Sequence, residues 1–244
     1  MRYRYEVRAV AGFVQQIATC YLRHGYRYWV AGTIPEGKDP YEVDRKILQK
    51  YGIVVSKEER ARRKRNGVSN IQYLRHERFF VLLATRGRHE FFKVEHAKSF
   101  EHHCLRYGGY TISVRRGAVD GRMHAHVAID ELEYRALKRF MAETAALKWS
   151  EDMLRDLFWS SPYLPYAPVR RQMFAVLRAV NRARKSAGLA AISKDCVRIK
   201  RPVVKAYVEE RTENREEKNH ERTSEKRAEL FESASESALA KAAA

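Results

Sequence analysis

Two histidines stand two residues apart in the stretch from Tyr110 to Asp130, YTISVRRGAVDGRMHAHVAID. Thr111–Arg115 alternates, Gly117 and Asp120-Gly121 mark a turn, and Arg122–Ile129 alternates again, which predicts a β-hairpin. Side chains at i and i+2 of a strand share a face, so His124 and His126 project together while Ala125 and Val127 turn to the core. Two imidazoles on one rigid strand hold a divalent ion when a third ligand converges on them. Six of the nine histidines lie between His89 and His126. The polar stretch 88–103 offers Glu90, Glu101 and His102 as third ligand, with Glu90 carried forward. The plainer reading is a half-buried strand that exposes two histidines.

The HAHV strand resembles the His-hydrophobe-His strand of the HUH endonuclease superfamily. That group includes rolling-circle replication initiators, relaxases and single-strand transposases. The resemblance covers this strand rather than the whole chain. It implies a metal-dependent nick of single-stranded DNA, in which a tyrosine attacks a phosphodiester and stays linked to the 5′ phosphate. A phenol is a weak nucleophile at neutral pH and needs help. A divalent ion, Mg²⁺ or Mn²⁺, on His124, His126 and Glu90 would polarise the phosphate, and a histidine pair leans toward Mn²⁺. Tyr166 is the first choice of nucleophile and Tyr163 the second. Both lie downstream of the histidines and beside a basic helix. The family's tyrosine sits on a helix, often with a lysine one turn later. Here Pro168 places Tyr166 just before the helix, and Arg170 stands where that lysine would be. Tyr107, Tyr110, Phe91 and Trp159 are candidates for stacking bases.

Charge points to the same partner. The 244 residues carry a net +18, and residues 1–208 hold 41 basic against 20 acidic side chains, or +21. Such an excess concentrates polyanions and opposes self-association, so nucleic acid is the expected partner, single-stranded DNA first and RNA second. The basic residues gather in two places. Arg60, Arg62, Arg63, Lys64 and Arg65 go nearly all round a short helix started by Ser56. Arg171, Arg178, Arg182 and Lys185 share one face of a longer helix, flanked by Arg170 and Arg184. Three scattered cysteines argue against a disulfide framework and fit a reducing cytoplasm. No apolar run reaches the length of a membrane span, and no signal peptide opens the chain.

The elements that must position these residues are legible in part. Residues 5–24 have helical spacing, and Tyr26–Ile34 alternates as a strand. Asp39 with Pro40 starts a helix whose core stripe is Val43, Ile47, Leu48 and Tyr51. Ile71–Leu74 and Phe79–Ala84 read as strands, the second central. Asp130 caps a helix over 131–147, and Glu151–Trp159 is a further short one. Prolines 162, 165 and 168 restrain the loop before the helix Val169–Ala187, whose core stripe is Val169, Met173, Val176, Leu177 and Val180. Val197–Val208 reads as a last strand, or a strand pair broken at Pro202, at a sheet edge. From Glu209 the chain becomes a charged low-complexity tail, disordered or a solvated helix. The expectation is an α+β fold, residues 1–208, with an antiparallel sheet, helices mainly on one face and a basic C-terminal helix. Its expected activity is tyrosine-dependent nicking and joining of single-stranded DNA for a replicon or mobile element. The alternative is a non-catalytic basic DNA- or RNA-binding protein.

Overall fold

The computed structural model describes residues 3–147 and 151–207. The tail expected from residue 209 onward lies outside them, and the contacts of the first compact unit end at Tyr207. Within that unit the architecture is mixed α+β.

The chain starts with a two-residue strand β1 (Glu6–Val7) and a helix α1 (Val10–Gln15). The helix continues as a π turn over Gln16–Tyr21 and a 3₁₀ turn over Leu22–His24, then stops at Gly25 in the left-handed region (φ 89°). The expected helix over 5–24 therefore begins later and is wound differently. Thr19 Oγ1 donates to the Gln15 carbonyl at 2.7 Å, competing with the regular ladder inside the widened turn.

β2 (Tyr26–Thr33) follows, then α2 (Pro40–Lys50) and α3 (Lys57–Arg65). Both helices start as their sequences direct. The Asp39 carboxylate accepts from the Tyr41 N–H at 3.2 Å, and Ser56 Oγ accepts from Glu59 N–H at 3.1 Å. β3 (Ile71–His76) and β4 (Phe79–Thr85) form a hairpin, followed by a short helix α4 (Phe91–Val94) and the two-residue β5 (Lys98–Ser99). The sheet order is β1-β3-β4-β2-β5, antiparallel except for the β1/β3 pair, so β4 is central as its apolar run demands.

The remaining strands make a second sheet of three, a division the alternation pattern does not reveal. β6 (Leu105–Tyr107) turns through Gly108 and Gly109 into β7 (Tyr110–Arg116), which pairs with β8 (Met123–Ile129). Both glycines have positive φ (55° and 76°), the geometry a tight two-residue hairpin needs. Phe100 ties the sheets together. Its N–H donates to the Arg27 carbonyl in β2 and its carbonyl accepts from Val114 in β7.

Helices α5 (Glu131–Ala146), α6 (Glu151–Trp159) and α7 (Ala167–Ser186) complete the fold. Their apolar faces join Val14, Ile17, Leu83, Ile112 and Val127 in the larger core. A smaller core of Ile71, Tyr73, Leu82, Ala84 and Phe91 lies on the other face of the first sheet, where Ile47 and Leu48 of α2 pack. The other helices, α1 and α5 to α7, pack with the larger core. Two further expectations are corrected. Ala125 is exposed, leaving Val127 and Ile129 as the buried residues of β8. Residues 197–207 form no strand beyond one bridge from Val7 to Tyr207. Pro202 removes a ladder donor there, and charged Arg198, Lys200, Arg201 and Lys205 interrupt the apolar alternation.

Candidate functional site

The histidine strand is the edge of the second sheet, and α7 packs along it. One side chain makes the join. Gln172 Oε1 accepts from the Ile129 N–H at 2.8 Å, and its Nε2 donates to the Ile129 carbonyl at 3.0 Å. Gln172 therefore acts as a one-residue substitute for the next strand and fixes the start of α7 against β8.

His124 and His126 share a face of β8, as their spacing requires, with Arg115 and Ser113 opposite them on β7. Their surroundings differ. His124 is exposed, and its Nε2 lies 2.7 Å from Asp120 Oδ2 in the preceding turn. Gly117 leaves room for this contact: a Cβ there would stand 2.9 Å from the His124 ring. The Arg122 backbone N–H, and then His124, hold the Asp120 carboxyl below the usual carboxylate range. His126 is half-buried. Burial, and after it the Arg115 and Arg171 guanidinium groups, depress its pKa below that of free imidazole.

That depression has a definite sign. The folded chain keeps the His126 ring neutral where an unfolded ring would take up a proton. The corresponding stability is present above the free-imidazole value and is lost as pH falls through the depressed one. An NMR titration of the His126 ring should show a midpoint below the ordinary value of about 6.5. Arg171→Gln should move that midpoint upward. A wild-type midpoint at or above the ordinary value would contradict this picture of the site.

The cations of α7 separate into two sets. Arg171, Arg178, Arg182 and Lys185 are exposed, and the helix contains no acidic residue. Arg171 to Lys185 spans about 21 Å at ~1.5 Å per residue. The flanking arginines serve the fold instead. Arg170 Nη1 donates to the Pro165 carbonyl at 2.8 Å. Arg184 is buried, and its Nε donates to the Ala190 carbonyl at 2.6 Å.

The α3 cations also divide. Arg62 and Arg63 pair with Glu59 at 2.6 and 3.3 Å, and Arg63 also donates to the Gly52 carbonyl. Arg60 Nη1 donates to the Val55 carbonyl at 2.7 Å, while Lys64 and Arg65 are exposed.

The two candidate nucleophiles, Tyr166 and Tyr163, both pack against neighbouring side chains. Tyr166 is the N-cap residue of α7, its oxygen is buried without a hydrogen-bond partner among the described residues, and Arg201 lies over its ring at 4.7 Å. Burial raises its phenol pKa, and Arg201 offsets part of the rise. Tyr163 packs edge-on against Tyr110 at 5.2 Å, and its phenol is raised by burial and by Glu133 and Asp130. Neither phenol is hydrogen-bonded to His124 or His126 among the described residues. The restrained loop is held by Tyr110, whose hydroxyl accepts from Leu164 N–H at 2.7 Å and donates to the Pro162 carbonyl.

Glu90 stands at the start of α4 and lines a different pocket, with Tyr28, Arg88, His89 and Phe92. Among the described residues no three His, Cys, Asp or Glu side chains come close enough to hold an ion. Among the described residues the histidine pair thus has Asp120 beside one ring and no converging third ligand. No helix among the described residues is long and apolar enough to cross a membrane.

With the fold and this face described, comparison with known proteins adds no identity: no family model, curated protein or solved structure matches the chain.

Proposed function

We propose that this protein binds a nucleic-acid strand through its phosphates, along the face where α7 meets β8. The observation that carries the reading is the exposed stripe of Arg171, Arg178, Arg182 and Lys185, unrelieved by any acid on its helix. Arg115, opposite His124 on β7, extends the positive surface past the start of the stripe. Phosphate contacts of this kind position a strand and release counterions without reading its sequence.

Metal-dependent nicking of single-stranded DNA is the second reading. One observation favours it: both imidazoles project from the same face of β8, beside these cations. A single assay separates the two. The protein is mixed with a labelled single-stranded oligonucleotide, with Mn²⁺, with Mg²⁺ or with a chelator, and resolved on native and denaturing gels. The binding reading expects a shifted complex that persists in chelator and no covalent adduct. An adduct that needs the metal and disappears in Tyr166→Phe would replace binding alone with nicking.

A further inference from the structure

Helix α5 is apolar on two sides. Its inward stripe is Tyr134, Leu137, Met141 and Ala145, packed in the larger core. The outer side of such a helix ordinarily carries polar groups. Here it carries Leu132, Ala136, Phe140 and Leu147. At ~100° per residue these four fall within about 80° of arc, across the helix from Met141. Leu132 and Leu147 are each 71 % exposed and Phe140 is 53 % exposed. The stripe runs the length of the helix, about 22 Å at ~1.5 Å per residue. A continuous exposed apolar strip rimmed by charges marks an interaction site.

Charge decides what fits on it. The chain carries +18, so two copies repel over much of their surface. α5 itself is neutral, because Glu131, Glu133 and Glu143 balance Arg135, Lys138 and Arg139. A neutral helix has no particular attraction for a polyanion or an anionic lipid surface, and it is a place where two copies can approach. Glu131 is taken by Arg135 at 2.6 Å. Arg139, at the edge of the stripe, and Glu143, within it, are exposed and form no ion pair among the described residues. An antiparallel alignment about a two-fold axis between Arg139 and Phe140 uses both. It sets Leu132 beside the partner's Leu147 and the small Ala136 opposite the partner's Glu143. Arg139 lies one turn further along, within reach of that carboxylate, and the symmetry makes the pair twice. A parallel alignment would instead set like charges at the same level and place the two helix dipoles side by side in the same sense.

We infer that α5 is the contact of a symmetric homodimer, its exposed stripe covering the same stripe of a second copy and Arg139 pairing with the partner's Glu143. A single helix pair is a small interface, so the dimer is of the transient class, with a Kd of about 10⁻⁵ M. The apolar stripe supplies the affinity, and the exposed ion pairs select the alignment. None of these residues belongs to the cationic stripe of α7, so the inference stands apart from the nucleic-acid reading.

The test is sedimentation of the full chain, freed of nucleic acid, from about 1 to 500 µM, a range that brackets this affinity. The mass should rise from 28.5 kDa toward twice that value. Phe140→Glu, at an exposed position, should weaken association by about tenfold or more, since it buries a charge in the contact. Two charge variants address the pairing. Glu143→Arg sets arginine against arginine across the contact, and Arg139→Glu sets glutamate against glutamate. Mixed in equal amounts, with one of them labelled, the two should associate about tenfold more tightly than either does alone, because both pairs are then of opposite sign. A misfolded variant is not rescued by mixing, so this result is independent of any folding defect. Wild type that stays at 28.5 kDa over the whole range, a dimer that Phe140→Glu leaves unchanged, or charge variants that associate no better together than alone would overturn the inference.

Discussion

Asp44→Ala should destabilise the folded chain by about 3–5 kcal/mol, the usual cost of stranding a buried charge. Asp44 is fully buried on α2. Both its oxygens receive Arg75 Nε at 3.0 Å, and its Oδ1 also accepts from the Tyr73 hydroxyl at 2.5 Å. Arg75 is itself 3 % exposed, with Nη1 on the Glu77 carbonyl and Nη2 3.1 Å from Glu6. Removing the carboxylate leaves a guanidinium with half its partners in a site that water does not reach. It also releases the clasp between α2, β3 and β1. Against a typical domain stability of about 5–15 kcal/mol the loss is severe, and the melting temperature should fall by about 10 °C. Asp44→Asn, which retains an acceptor for Tyr73, should lose less than alanine. Thermal unfolding followed by circular dichroism reads both. A melting point for Asp44→Ala within about a degree of wild type would show that the cluster contributes little.

The second large effect concerns binding. Replacing Arg171, Arg178, Arg182 and Lys185 together by glutamine should weaken affinity for a single-stranded oligonucleotide by about 10²–10³-fold near ~0.1 M salt. The figure follows from about 0.7 counterions released per single-strand phosphate contact. The fold should be untouched, because the four side chains are exposed and glutamine suits a helix. Arg170 and Arg184 are left in place because their hydrogen bonds to Pro165 and Ala190 hold the two ends of α7. Fluorescence anisotropy of a labelled oligonucleotide measures the loss. An affinity within about threefold of wild type would move the binding surface elsewhere.

What was legible in the sequence was local. Asp39, Ser56 and Asp130 cap helices because each carries an oxygen two or three residues before a free N–H, a relation that needs no knowledge of the rest of the chain. The α7 core stripe and its cationic back follow equally from a period of 3.6. The shared face of His124 and His126 follows from a period of two. What was hidden depends on distant partners. Asp44 reads as one more charge on an amphipathic helix, and only Tyr73 and Arg75, about thirty positions on, make it a buried ion. Alternation does not say which strands pair, so it does not reveal the division into two sheets. The α3 run looks uniformly basic until Glu59 takes Arg62 and Arg63 and the Val55 carbonyl takes Arg60. The expected meeting of Glu90 with the histidines joined residues by chemistry alone, and the fold places Glu90 beside Tyr28 and His89 instead.

Binding of the wild-type chain to a single-stranded oligonucleotide, followed across salt concentration in the presence of a chelator, tests the account most directly. If the α7 stripe meets phosphates, log affinity should fall linearly with log salt, with a slope of about −3 or steeper for four or more contacts. A slope near zero, or no complex even at low salt, would contradict it.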